Sequence, residues 1–194
     1  VSRLREVVTN ISSLKTINQE VLRSQQEGRF LRSIVKTEFG GSAFVVAFIE
    51  GYYVLLTNTH VVGSEDTVKL FTSIGTNIGT ARVVMRHKEF IPYARDIAVV
   101  IIRKEDIKDD VEYLEQIDMK PAVDGAPATL ASGKNGTLST GLLVLQDEER
   151  VLLFAAQSKV GDSGSPLLVI GEDGRYYAVA VIAQSGPMGM LMTE

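Results

Sequence analysis

Ala43-Phe44-Val45-Val46-Ala47-Phe48-Ile49-Glu50-Gly51-Tyr52-Tyr53-Val54-Leu55-Leu56-Thr57 consists of two apolar runs, rich in β-branched and aromatic residues, joined by Glu50-Gly51. Such side chains fit the pleated, packed surface of a strand, and a Gly-containing two-residue link fits a tight hairpin turn. The stretch therefore predicts strands over Ala43–Ile49 and Tyr52–Thr57. The same signature continues on both sides. Further strands are predicted at Phe30–Val35, Val68–Phe71, Ala81–Met85, Ile97–Ile102, Ala128–Ala131, Gly141–Leu145, Val151–Ala155, Leu167–Ile170 and Tyr176–Ile182. Turn residues punctuate them at Gly63-Ser64, Gly75 to Gly79, Asp124-Gly125, Lys134-Asn135-Gly136 and Asp173-Gly174,. About eleven short strands with no long helices between them predict an all-β barrel or sandwich.

Two segments depart from this pattern. Between Ser2 and Gly28, the residues Leu4, Val7, Ile11, Leu14 and Val21 make a helical stripe, with Asn18 in the one missing position,. Arg5, Glu6, Lys15, Glu20 and Arg23 supply the polar face, and Gly28 is a stop signal,. This amphipathic helix either docks on its own domain or mediates assembly, which would make the chain a homo-oligomer. The segment Lys104–Lys120 is charged and without strong alternation, and reads as a connection between two β halves.

Composition narrows the function classes. A chain of 194 residues is long enough for one substantial core or for two small barrels sharing an interface,. The net charge of −4 supplies no basic field, so nucleic acid is not expected as the main partner,. With no cysteine, disulfides, thiol catalysis and cysteine-held zinc are excluded,. No apolar run approaches the roughly 18 residues that span a bilayer, so no membrane segment is expected in this chain. The first residue is Val1, which suggests a removed leader or a segment of a longer protein,. Two separated histidines lack metal-ligand spacing and no phosphate-loop motif is present, so neither metal nor cofactor is expected,.

One turn stands out chemically. Gly161-Asp162-Ser163-Gly164-Ser165-Pro166 places two glycines around a serine, the makings of a tight turn that holds a hydroxyl outward,. The N–H groups of Gly161 and Ser163 are then free to meet at one spot, as a developing oxyanion requires. An ordinary β-turn has the same composition. A reactive serine needs a base. His60 follows the strand Tyr52–Thr57, whereas His87 lies among Arg86, Lys88 and Glu89 and reads as solvated surface. A base needs orienting, and Asp96 precedes the apolar run Ile97–Ile102, which draws its carboxylate inside. An imidazole Nδ1–H would satisfy that buried acid and leave Nε2 for the serine. A cap, or an ion pair with Arg95, is the alternative use of Asp96.

These residues occur in the order His, Asp, Ser, and here a resemblance enters. Thr57–Val62, Arg95-Asp96-Ile97-Ala98 and Gly161–Pro166 resemble the three signatures of the chymotrypsin-like serine proteases. Gly40-Gly41-Ser42-Ala43-Phe44 is similar to the early strand of the HtrA-like and viral members. The resemblance implies an all-β, chymotrypsin-like double β-barrel, to which the amphipathic helix read above is an N-terminal addition. Its parts would be an extension over 1–28, a first barrel over 29–103, a connection over 104–120 and a second barrel over 121–194, the whole forming one protease domain. It implies that His60, Asp96 and Ser163 are catalytic and that the amides of Gly161 and Ser163 form the oxyanion hole.

Three departures are visible. Ser165 stands where many members have glycine, no Ile-Val-Gly-Gly start is present to be freed by activation, and the sequence ends soon after Gly189, so that a closing helix or PDZ module would have to lie outside it. In the family resembled, the base of the primary pocket lies about six residues before the nucleophile, which would be Gln157 here, without the carboxylate that selects Arg or Lys. Gln157, Ser158 and Lys159 with Gln184, Ser185 and Gly186 would bind substrate, and their polarity suggests Gln or Glu as the P1 residue. Alternatively, Lys159 faces solvent. The implied partner is a polypeptide substrate, and the implied setting is a bacterial envelope or periplasm, or the host cell of a virus. A catalytically silent binding or assembly protein on the same fold is the competing class.

Overall fold

Glu50 and Gly51 both take positive φ, 52° and 83°. That pair of angles matches the twist of the flanking strands, so a two-residue turn pairs Ile49 directly with Tyr52,. The hairpin belongs to a computed structural model that describes residues 31–87, 96–108, 114–132, 138–145, 150–154, 163–182 and 189–192. The predicted helix over 1–28, with its assembly role, lies outside the described residues.

The first six strands are β1 (Ile34–Thr37), β2 (Ser42–Ile49), β3 (Tyr52–Thr57), β4 (Thr67–Phe71), β5 (Asn77–Arg86) and β6 (Ala98–Arg103). They close in the order β1-β2-β3-β6-β5-β4, sealed where Lys36 and Thr37 of β1 pair with Phe71 and Leu70 of β4. The next six are β7 (Pro127–Ala131), β8 (Leu138–Leu145), β9 (Arg150–Phe154), β10 (Pro166–Ile170), β11 (Tyr176–Ile182) and β12 (Gly189–Met192). They close in the order β7-β8-β9-β12-β11-β10, the same path displaced by six strands. The protein is an all-β double barrel.

The packing explains why β2 reads as a continuous apolar run rather than an alternating one. Ala43 and Val45 point into the first barrel with Leu55, Leu70, Ile78 and Val100. Phe44 and Val46 point the other way, against Leu168, Tyr176, Ala178 and Val181 of the second barrel. Both faces are buried, so both positions of the period-two pattern are apolar. The second barrel has its own interior around Leu130, Leu143, Leu167 and Ile182. In β11, Ala178 faces the partner barrel but Ala180 faces inward. The switch occurs at a register shift beside Val179, an extra residue that reverses which face each side chain occupies,.

The connection is more than a charged link. Leu114 is buried with the interior of the first barrel and Ile117 with the interface. The Ile117 amide donates to Val45 O at 2.9 Å. The Lys120 amide donates to Ala178 O at 3.0 Å, and the Ala178 amide donates to Asp118 O at 2.8 Å. One segment is thus stitched to both barrels. The Lys120 ammonium lies 4.0 Å from the centre of the Tyr177 ring, whose hydroxyl donates to Asp173 Oδ2 at 2.5 Å. That hydrogen bond is the main reason the Tyr177 pKa is raised and the Asp173 pKa lowered.

Candidate active site

β3 ends at Thr57, paired with Ala98, and the chain then bends into a single helical turn, α1 (Thr59–Val62). Val61 and Val62 are buried and anchor the turn, leaving the His60 side chain 36% exposed. Gly63, at φ 58°, closes the turn, and its amide donates to Thr59 O at 2.8 Å. Arg86 at the end of β5 holds the far side, donating from Nη1 to Gly63 O at 2.6 Å and from Nη2 to Glu65 O at 2.7 Å.

Asp96 lies just before β6 and is buried, at 8% exposure. Both its carboxylate oxygens face His60. The His60 amide donates to Oδ1 at 2.9 Å, and Oδ2 is hydrogen-bonded to the ring Nδ1. An ionised carboxylate only accepts, so this contact assigns the ring proton to Nδ1 and leaves the Nε2 lone pair outward. The main chain beside Asp96 is held as well. Asn58 Nδ2 donates to Asp96 O at 2.7 Å, and Thr59 Oγ1 donates to Ile97 O at 3.0 Å.

Ser163 opens the turn into β10 and belongs to the second barrel. Its tie to the first is through main chain: the Ser42 amide donates to Ser163 O at 2.7 Å. The carbonyl of Ser42 in turn accepts the Thr57 hydroxyl at 2.7 Å. Gly164 adopts φ 87°, and a Cβ there would lie 1.8 Å from Ser42 O and 2.8 Å from Thr57 Oγ1. Gly41 is equally confined, its missing Cβ falling 2.5 Å from Val61 and 3.1 Å from Ser163 O. Two glycines thus let the serine turn press against the strand ends from which the His60 turn departs. Gly164→Ala is expected to cost more than the roughly 1–3 kcal/mol of ordinary left-handed strain, because backbone must also move. Urea unfolding measures this, and an unchanged midpoint would contradict the seating described.

Gly161 lies outside the described residues, as do Gln157, Ser158, Lys159, Gln184, Ser185, Gly186 and Arg95. His87 is half-buried, and its amide donates to Ile97 O at 3.2 Å. Among the described residues no group of three His, Cys, Asp or Glu side chains is placed to hold a metal ion. Sequence reasoning placed Asn58, Thr59, Ser42 and Thr57 within signature stretches but gave neither them nor Arg86 a role of their own. The available signal was the polar run Thr57-Asn58-Thr59 directly after an apolar strand, where buried hydroxyl and amide groups need partners.

No protein-family model and no curated protein matches this sequence. Solved structures do. A human pathogenic astrovirus serine protease matches with a TM-score of 0.61 at 18% identity, over 84% of this chain and 90% of that one. The fold is that of the chymotrypsin-like serine proteases. The inactive form of the Rv3671c protease of M. tuberculosis shares the protease fold with a TM-score of 0.57 at 18% identity, over 89% of each chain. The HtrA-type protease AlgW, solved with a decapeptide, shares it with a TM-score of 0.55 at 21% identity. That match spans 79% of this chain and 47% of AlgW.

Proposed function

We propose that residues 29–194, two barrels and their connection, act as one serine endopeptidase domain. The observation that supports this above any other is the two-point hold of Asp96 on His60, beside a serine turn seated on Ser42. In this reading His60 Nε2 removes the Ser163 Oγ proton as the oxygen attacks a peptide carbonyl. The amides of Gly161 and Ser163 receive the oxyanion. The imidazolium, stabilised by Asp96, returns its proton to the departing amine, leaving an acyl ester on Ser163. Water, deprotonated by the same imidazole, hydrolyses that ester and restores the hydroxyl.

The substrate is a polypeptide laid along Gln184, Ser185 and Gly186, with its P1 side chain in a pocket formed by Gln157, Ser158 and Lys159. These polar residues favour Gln or Glu at P1. A fluorophosphonate probe is expected to label one serine, mapped by mass spectrometry to Ser163. A folded protein that resists the probe would instead be a silent binding module. In a peptide library, cleavage after Gln or Glu is expected, and a profile dominated by Arg, Phe or Leu at P1 discards this pocket.

A further inference from the structure

Asp96 lies beyond the end of the β6 ladder, whose last pairs are Thr57 with Ala98 and Arg86 with Ala98. Among the described residues, sheet pairing therefore stops short of its main chain. The two carbonyls in this gap are held differently. Ile97 O has two donors, the Thr59 hydroxyl and the His87 amide. Asp96 O accepts from the side chain of Asn58. A carbonyl can only accept, so the end of the amide facing it must be the nitrogen.

The other end of that amide is the second observation. Asn58 is 0% exposed, and among the described residues its buried Oδ1 has no hydrogen-bond partner. A buried orphan acceptor lowers stability, so an apolar residue would suit this position better if only packing mattered. Stability given up beside a reacting group is the pattern of a functional constraint.

We propose that Asn58 is a positioning residue: by holding Asp96 O it aims both carboxylate oxygens at His60. The inference rests on the endopeptidase reading only for its kinetic consequence, because the geometry it explains is independent of turnover. Asn58 acts from the residue next to Thr59, where α1 begins, so one short segment both carries the imidazole and orients its partner. With Asn58 shortened, the Asp96 peptide loses its tether, and the carboxylate samples orientations in which Nδ1 has no acceptor.

The test compares the parent, Asn58→Ala and Thr59→Val by three readouts: melting temperature, kcat and KM on a cleaved peptide, and the downfield proton NMR signal of His60 Nδ1–H. Asn58→Ala is expected to fold with a lowered melting temperature, because Asp96 O loses its donor and a buried side chain is shortened, so its kinetics are normalised to folded protein. Its kcat is expected to fall about 10–100-fold with KM little changed, the effect of a misdirected group rather than of lost substrate contact. Its Nδ1–H signal is expected to broaden or vanish. Thr59→Val, whose acceptor keeps the His87 amide, is expected to retain the signal and most of kcat. An Asn58→Ala protein with a sharp parental signal, or with kcat within twofold of the parent, overturns the proposal, and so does an equal loss in Thr59→Val. If the parent itself cuts nothing, the endopeptidase reading fails, while the NMR comparison still decides the role of Asn58.

Discussion

Ser163→Ala is expected to lower kcat by about 10⁶-fold while leaving the fold intact, the scale on which removing a serine nucleophile abolishes an acyl-transfer route. The two expectations separate because Ser163 enters the architecture through its main chain. The bond from the Ser42 amide to its carbonyl does not involve the hydroxyl, and neither does the bond from the Gly164 amide to Ile182 O. Ala can keep both. Removing Oγ leaves the half-buried position otherwise unchanged, and substitutions of this kind usually stay within about 0.5 kcal/mol of the parent. Hydrolysis of a peptide, normalised to folded protein, measures the first effect and urea unfolding the second. Activity persisting above about 1% would point to a different nucleophile, since oxyanion and binding contributions alone fall far below that level.

Asp96→Asn is expected to reduce kcat by about 10⁴-fold, the effect of presenting an imidazole in the wrong tautomer. The carboxylate accepts two donors at once, the amide of His60 and its Nδ1. A carboxamide has one accepting oxygen. If that oxygen keeps the His60 amide, the NH₂ group faces Nδ1, which must then accept. The ring proton moves to Nε2, where it blocks transfer from the Ser163 hydroxyl. If the carboxamide flips, two donors confront each other at the His60 amide, and a buried N–H loses its partner. The first arrangement disables the base, and the second, which would keep it, is disfavoured by that lost hydrogen bond. Steady-state kinetics and the rate of fluorophosphonate labelling should fall together, and a loss of less than tenfold would remove Asp96 from the proposed mechanism.

Most strands of this fold are legible in the residues, because turn chemistry and strand pattern agree. Tyr52–Thr57 and Tyr176–Ile182 have the predicted ends, and Glu50-Gly51 forms the turn its composition implies. The exceptions have physical causes. β12, Gly189–Met192, went unpredicted because Gly-Met-Leu-Met contains no β-branched or aromatic residue, and its pairing with β9 and β11 supplies the order. The Gly75 to Gly79 stretch reads as a turn, yet Asn77–Gly79 begins β5. Gly79 is there because the main chain of Asp106 passes where a Cβ would sit, 2.7 Å from it. β1 begins at Ile34, later than predicted, since Leu31–Ser33 forms a 3₁₀ turn. Leu114 and Ile117 escaped notice as core residues because isolated apolar side chains among charged ones carry no period.

At the site, the candidates His60, Asp96 and Ser163 were conspicuous as residue types in suggestive surroundings. What joins the described parts of the site could not be read. The hydrogen bonds of Asn58, Thr59 and Arg86 cross from one hairpin to another, and a backbone carbonyl as acceptor leaves no trace in the identity of its residue. The one-turn helix carrying His60 was equally hidden, since four residues are too few to display a helical period,.

The imidazole and its carboxylate lie within residues 34–103, whereas the turn carrying the hydroxyl finds its seat only when one barrel meets the other across Phe44, Leu168 and Val181. A nascent chain leaving the ribosome can complete the former long before the latter has been translated. If the proposed chemistry holds, cutting power arrives at the last stage of biogenesis. Each newly made copy then passes through its own half-folded period without the means to cut.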